Sequence, residues 1–358
     1  MITSLLLENF KLFKYLEIPN LSRVTLIGGH NNVGKTTLLE ALYTFYDRLN
    51  PEMTLRQFVR MGIDVVPIEP ENIWAPIFLD YDMKKKIRIS ITKNNKVEIM
   101  TIALNENYLK TIPIHPLTNN KSKNMKINQQ QIQFPTTALQ IECTTNKKRT
   151  QLSHFVINNN GFGLKIDLAT TTPQNAVFLS SRMHTNHNED ATRFGRLDII
   201  GKQDTIVDFL KVLEPRLISL SSITMGEISL IHGDLGSGRK IPISFMGDGM
   251  SRLLSIILAI ATNPNGLILI DEIENGIHYS VIKDVWKSIG QAAQEFNCQI
   301  FVTTHSYECI AAALEGFKGE LENDFQYTRL DQRKDEIVAK IYDYEMLSTA
   351  IDVDMEVR

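Results

Sequence analysis

The chain has 358 residues, 43% hydrophobic and 22% charged, with a formal net charge of −3. These proportions suit a soluble globular chain that buries a core, in one large domain or two small ones, and they lack the whole-domain basic charge of a polyanion binder. Three widely spaced cysteines, no signal-peptide pattern and no apolar run of ~18 residues point to a reducing, cytoplasmic setting without a membrane partner.

In chain order, residues 2–8 read as a strand, Asn9 to Lys14 as a turn and 15–18 as a short strand. Residues 23–28 (RVTLIG) read as a buried, β-branched strand. A Gly-rich loop follows and opens into a helix over 36–49, with Leu38, Leu39, Leu42, Phe45 and Tyr46 at helical spacing. Residues 87–103 read as a hairpin turning at Lys93–Lys96, and 155–168 as a second one turning at Asn158–Gly161. Between them, 118–135 is rich in Asn, Lys and Gln and reads as a flexible polar loop. Residues 51–174 are thus expected to be an inserted β-rich subdomain without coiled-coil heptads, interrupting a core made of 1–50 and 175–358. Beyond Gly195 the pattern alternates: a helix at 205–213, two short strands in 216–232, an apolar helix at 250–262, a strand at 267–270, a helix at 281–296 and a strand at 299–303. The expected fold class is α/β, a mixed or parallel central sheet with helices on both faces and an antiparallel β insertion.

The strongest chemical signal is Gly29-His30-Asn31-Asn32-Val33-Gly34-Lys35-Thr36, which fits G-x-x-x-x-G-K-[ST] without a mismatch. The glycines let backbone N–H groups curl around phosphates, Lys35 supplies a cation, and the helix N-terminus contributes its dipole. Gly29, Asn31, Asn32, Gly34, Lys35, Thr36 and Thr37 are therefore candidate ATP-binding residues. The Thr36 hydroxyl is a candidate Mg²⁺ ligand. A second signal is the apolar strand 267–270 ending in Asp271-Glu272. In a P-loop protein the first acid serves the metal and the second polarises the attacking water, so Asp271 joins Thr36 at Mg²⁺ and Glu272 is the candidate base. His305, just past the next strand, can orient water or touch the γ-phosphate. Gly247-Asp248-Gly249 heads the helix at 250–262. A second anion-binding helix start beside a complete P-loop makes most sense if it serves nucleotide held by another subunit.

In this order, these four signals resemble the ABC-type P-loop ATPases, and the variant is similar to the RecF, SMC and OLD branch. Leu7-Glu8-Asn9-Phe10-Lys11, Val177–Arg182 and Asp271-Glu272-Ile273-Glu274-Asn275-Gly276-Ile277-His278 carry that likeness. It covers roughly 1–50 and 175–310. It implies a Mg-ATP-dependent homodimer closed head to tail, with higher oligomers open. There are departures. Aligned on Arg252, Met246 stands where the transporter signature has Ser, with Ser244 or Ser251 as substitutes, and Gln57 is the nearest candidate for a Q-loop. OLD-type proteins carry a nuclease domain after the ATPase, but only 53 residues follow His305, and their acids, Asp331 among them, read as solvated surface. The resemblance therefore implies a separate effector, a nuclease or toxin, as in two-component bacterial anti-phage systems. Two alternatives stay open: a RecF-like repair ATPase acting directly on DNA, and a nucleotide-stabilised scaffold that sequesters its partner. His184-x-x-His187 in the polar loop 182–193 lacks a third metal ligand. Lys84–Lys86 and Lys147–Arg149 read as solvated charge. Arg182 and Arg193 are candidate trans-acting or DNA-facing residues.

Overall fold

The computed structural model describes all residues except 51, 61–62, 64–66, 68, 109–114, 117–135, 159–160, 171–174, 182–186 and 335. The chain opens with the hairpin β1 (Ile2–Phe10) and β2 (Phe13–Ile18), then β3 (Val24–Gly28) and α1 (Lys35–Tyr46). The short helices α2 (Arg56–Arg60) and α3 (Pro70–Ile73) lead to β4 (Ile87–Lys93), β5 (Lys96–Tyr108), β6 (His115–Pro116), β7 (Thr136–Thr145), β8 (Lys148–Asn158) and β9 (Gly161–Ala169). Next come β10 (Ala176–Leu179), α4 (His187–Ile199), α5 (Gln203–Leu210), β11 (Ser219–Met225), β12 (Ile228–Asp234) and β13 (Lys240–Pro242). The rest alternates through α6 (Asp248–Ala261), β14 (Leu267–Ile270), α7 (Ile282–Glu295), β15 (Gln299–Thr303) and α8 (Tyr307–Gly316). It closes with the hairpin β16 (Phe325–Arg333) and β17 (Glu336–Tyr342), and α9 (Tyr344–Asp352).

The central sheet has the order β10-β14-β15-β3-β16-β17 and is parallel except for β17. Strand β14 is an unbroken apolar run and β15 has Ile300-Phe301-Val302 at its centre, because both faces are covered. Their side chains alternate between two cores. Ile268, Ile270, Ile300 and Val302 point into the core built by the later helices, among them α6 and α7. Leu267, Leu269, Phe301 and Ile27 point the other way, into the core shared with α1 and the antiparallel sheet. That second sheet has the order β2-β1-β4-β5-β7-β8-β9-β6, so the strands of the middle region continue the opening hairpin. Helix α1 lies between the two sheets, which is why Leu38, Leu39, Ala41, Leu42, Thr44, Phe45 and Tyr46 are all buried. At its end Arg48 is buried, with its guanidinium 4.8 Å from the Phe45 ring centroid and its Nε donating to Gln151 Oε1 at 3.1 Å, which ties α1 to β8. A three-stranded sheet, β11-β12-β13, stands beside α4 and α6.

Both hairpins turn where the sequence places them, at Lys93↔Lys96 and Asn158↔Gly161. Two readings need correction. Residues from His187 onward are not a loop but the start of α4, with Glu189 and Asp190 in its first turn favouring the helix dipole. Asp331 is not solvated: it is half-buried in β16, paired with Arg329 at 2.6 Å and Lys340 at 2.7 Å. The expected flexible loop 118–135, Arg182, His184 and Asp335 lie outside the described residues. Among the described residues no helix is long and apolar enough to cross a membrane.

Candidate functional site

The phosphate loop begins where β3 ends. Gly29 has φ 126°, and a Cβ there would sit 2.3 Å from Leu330 O of the neighbouring strand. Gly34 has φ 89°, and a Cβ would meet the Phe13 ring at 2.7 Å. Left-handed backbone and close approach both demand glycine at these two positions. Asn31, Asn32 and Thr36 are exposed around the loop. Lys35 starts α1 and is 4% exposed; its Nζ donates to Gly29 O at 2.7 Å and His30 O at 2.8 Å. Burial pushes its ammonium down to about 8, while Glu272, Glu274 and Asp271 pull the other way.

Strand register brings the acids to this loop. Ile270 pairs with Val302, so Asp271 and Thr303 emerge side by side at the ends of adjacent strands. Asp271 is 5% exposed, and its Oδ1 accepts from Thr36 Oγ1 at 2.9 Å and Thr303 Oγ1 at 2.7 Å. Its Oδ2 accepts from Ser181 Oγ at 3.2 Å. Thr303 also accepts from Glu272 N–H at 2.9 Å, so one buried hydroxyl touches both acids. Glu272 has φ 49°, an uncommon conformation for a residue with a side chain, and this turns it out of the strand line. Its carboxylate lies 3.1 Å from His305 Nε2 and accepts from Asn275 Nδ2 at 2.8 Å. Glu274 accepts from His305 N–H at 2.7 Å.

The loop Gly247–Gly249 lies on the other side of β14. Gly247 has φ 110°, Gly247 and Asp248 are exposed, and a Cβ on Gly247 would meet nothing within 4 Å. A Cβ on Gly249 would lie 3.2 Å from Gly276 O, so the loop leans on the turn that follows the acids. One turn into α6, the half-buried Arg252 donates to Asp271 O at 3.0 Å. Burial lowers its pKa, and Asp271, Glu272 and Glu274 oppose that shift. Met246 packs against the core of the later helices. Ser244 and Ser251 line a small cavity of about 20 Å³ with His187 and Asp190.

The structure therefore brings Lys35, Thr36, Asp271, Glu272 and His305 together. Gly247–Gly249 it places against Gly276. Sequence reasoning gave no role to Thr303, Ser181 or Asn275. For Thr303 a signal existed: it ends the strand beside the one that ends in Asp271. Gln57 is buried and donates to Ile73 O at 3.4 Å, a structural contact. Arg193 pairs with Glu189 and Asp190 of its own helix. No group of three or more His, Cys, Asp or Glu suited to a metal occurs among the described residues. A hydroxyl and a carboxylate 2.9 Å apart are nevertheless the hard oxygen donors Mg²⁺ takes, with phosphate and water completing its shell.

A parallel sheet with a phosphate loop between its strands, and acids at the end of the strand after next, defines an ATPase of the ABC-type P-loop class. The chain belongs to the AAA ATPase domain family, whose model matches residues 1–191. A second model, an AAA domain family whose description also names the AbiEii toxin and type IV TA systems, matches residues 135–311. The chain is 26% identical over 344 residues to an ATP/GTP phosphatase of Helicobacter pylori, covering 87% of this chain and 86% of that protein. It is 34% identical over 87 residues to an uncharacterized protein of Methanocaldococcus jannaschii, covering 24% of this chain and 76% of that one. Among solved structures it is similar to an Smc head bound to the C-winged helix domain of ScpA, with a TM-score of 0.50 and 15% identity over 98% of this chain and 99% of that one. That likeness is one of fold.

Proposed function

We propose that this ATPase closes head to tail with a second copy around Mg-ATP, and that the closed pair controls a separate effector, a nuclease or toxin, in bacterial anti-phage defence. The observation that carries the dimer is the placement of Gly247–Gly249: exposed at Gly247 and Asp248, open on the Gly247 side, and leaning on the turn after Glu272. A helix start in that position is free to meet a γ-phosphate held by another copy. The family description that names a toxin of TA systems supports an effector read out by this ATPase.

In the proposed reaction, Lys35 exchanges its two loop carbonyls for β- and γ-phosphate oxygens, and the N–H groups of Gly29–Thr37 line the phosphate chain. Thr36 and Asp271 would hold Mg²⁺, which when bound supplies charge against the phosphate oxygens. Glu272 takes a proton from water as that water's oxygen bonds to the γ-phosphorus and the bond to ADP breaks. His305, 3.1 Å from Glu272, orients that carboxylate and the water. Thr303 holds the two acids in register. ATP bound preferentially by the closed pair shifts the population toward it, and loss of the γ-phosphate releases it.

Glu272→Gln removes the base while keeping the hydrogen-bonding shape of the side chain. Light scattering after size exclusion should find this variant as a dimer or larger in saturating Mg-ATP, and smaller in ADP. A mass that does not respond to nucleotide would overturn the head-to-tail reading. Capturing the same variant from native cells in Mg-ATP should bring down a stoichiometric effector protein. Recovery of nucleic acid alone would favour direct action on DNA.

A further inference from the structure

The end of the central sheet away from the phosphate loop carries a cleft of about 380 Å³. Its walls are Tyr43, Tyr46 and Asp47 from the last turn of α1 and the residue after it, Arg56 from α2, Asn175 before β10, and Asn263 after α6. The volume lies in the range of pockets that hold small molecules. The lining is specific in kind: two aromatic rings, two carboxamides, a guanidinium and the carboxylate paired with it.

We infer that this cleft is a second nucleotide site, an effector site for a mononucleotide-sized ligand, separate from the phosphate loop. Each wall supplies one part of such recognition. Arg56 donates one N–H to Tyr43 Oη at 2.6 Å, and its Nε forms an ion pair with Asp47 Oδ2 at 3.0 Å. A guanidinium has five N–H donors in a fixed fork, and those that these two partners do not engage among the described residues can meet a phosphate. Asp47 and Tyr43 hold that fork in place and reduce the ordering cost of binding. The Tyr43 ring is held edge-on against Phe178, with centroids 5.8 Å apart at 79°, and under the Arg56 guanidinium, 5.7 Å from its centroid, so it is a fixed wall beside which a planar base can lie. Asn263 gives its amide nitrogen to Ala259 O at 2.8 Å and to Thr262, leaving Oδ1 to accept from a base edge. Asn175 is exposed beside it.

Three walls of the cleft are the far ends of elements that carry the candidate ATP site. Helix α1 starts at Lys35 and reaches the cleft with Tyr43 and Tyr46, about 16 Å further on at 1.5 Å per residue. Helix α6 starts at the Gly247–Gly249 loop and hands over to Asn263. Strand β10 leaves the cleft at Ala176 and ends beside Ser181, which bonds Asp271. A ligand that bridges the cleft grips the back ends of these three elements together, so its binding is coupled to their front ends. Coupling of this kind is reciprocal, and the ATP site must in turn alter affinity at the cleft.

The test uses the full chain carrying Lys35→Ala, which silences the phosphate loop, with AMP, GMP, CMP and UMP as probes in equilibrium dialysis. At least one should bind saturably, near one per chain. Adding Arg56→Ala should weaken that binding at least tenfold. Adding Asn175→Trp, which fills the cleft from an exposed position, should abolish it. In the otherwise unaltered protein, Asn175→Trp should keep its basal ATPase rate and lose any response to the bound mononucleotide. Absence of saturable binding to Lys35→Ala overturns the inference, as does binding that survives both cleft substitutions. The outcome is independent of whether the protein dimerises, because every readout is per chain.

Discussion

At the scale of single residues, the site turns on two side chains that sequence inspection weighs very differently. Lys35 belongs to an eight-residue pattern and is plain to see; its low pKa is not, because burial in this fold is its main cause. Near pH 7 the ammonium is charged and ready for phosphate. Above about 8 the free protein loses that proton, and bound phosphates draw it back. Calorimetry at pH 8.5 in buffers of different ionisation enthalpy should therefore find proton uptake on ATP binding, fading below pH 7 and absent in Lys35→Ala. The sign for stability is the reverse of the common ion-pair case. The unfolded chain keeps the lysine proton to about pH 10.5 while the folded chain gives it up near 8, so without nucleotide this group favours folding increasingly as pH rises between them. Thr303 is the opposite kind of residue, a threonine marked only by its place at the end of the strand beside the one that leads to Asp271. Its hydroxyl bonds Asp271 and the Glu272 backbone, so Thr303→Val, equal in shape, should lower kcat about 10- to 100-fold. Thr303→Ser should restore most of that rate, and the KM for ATP should move less than kcat. Equal loss of ATP binding and of rate would assign Thr303 to folding alone.

At the scale of elements, helices and strands with strong periodicity were legible. The run 299–303 reads as a buried strand and is one, because Ile300-Phe301-Val302, covered on both faces, leaves an apolar signature at its centre. The start of α4 was hidden because His187–Arg193 is polar and lies among charges, and its helicity rests on dipole-favouring acids and on packing against α6. What no periodicity reports is how loops meet, and the contact between Gly247–Gly249 and Gly276 is of that sort. Gly276 has φ 79°, and a Cβ there would lie 3.3 Å from the Asp248 Cβ. Gly276→Ala should cost about 1–2 kcal/mol from the left-handed backbone alone, read as a fall in thermal midpoint. It should also weaken ATP-dependent self-association more than ATP binding, since the displaced loop is the proposed cap for a second copy. Equal effects on both would place the fault in the ATP site itself.

At the scale of the whole molecule, the pairing of the two sheets was the least legible feature. Residues 2–18 read as strands of the core made of 1–50 and 175–358, yet they seed the antiparallel sheet that runs on through the middle of the chain. Gln299 stitches the layers: its side chain accepts from Ile2 N–H at 2.7 Å and donates to Ile2 O at 2.8 Å and Ser22 O at 3.0 Å. A partnership nearly 300 residues apart leaves no trace in any local window. The same sheet order bears on how the protein is made. Strand β3, which launches the phosphate loop, is flanked by β15 and β16, so both of its neighbours come from residues 299–333. A ribosome working from the N-terminus releases the P-loop sequence early, but the strand that aims it gains its partners only when most of the chain has emerged. Competence to bind ATP thus arrives late in synthesis, and an incomplete chain that stops short of β15 carries the full phosphate-binding sequence with no sheet to hold it.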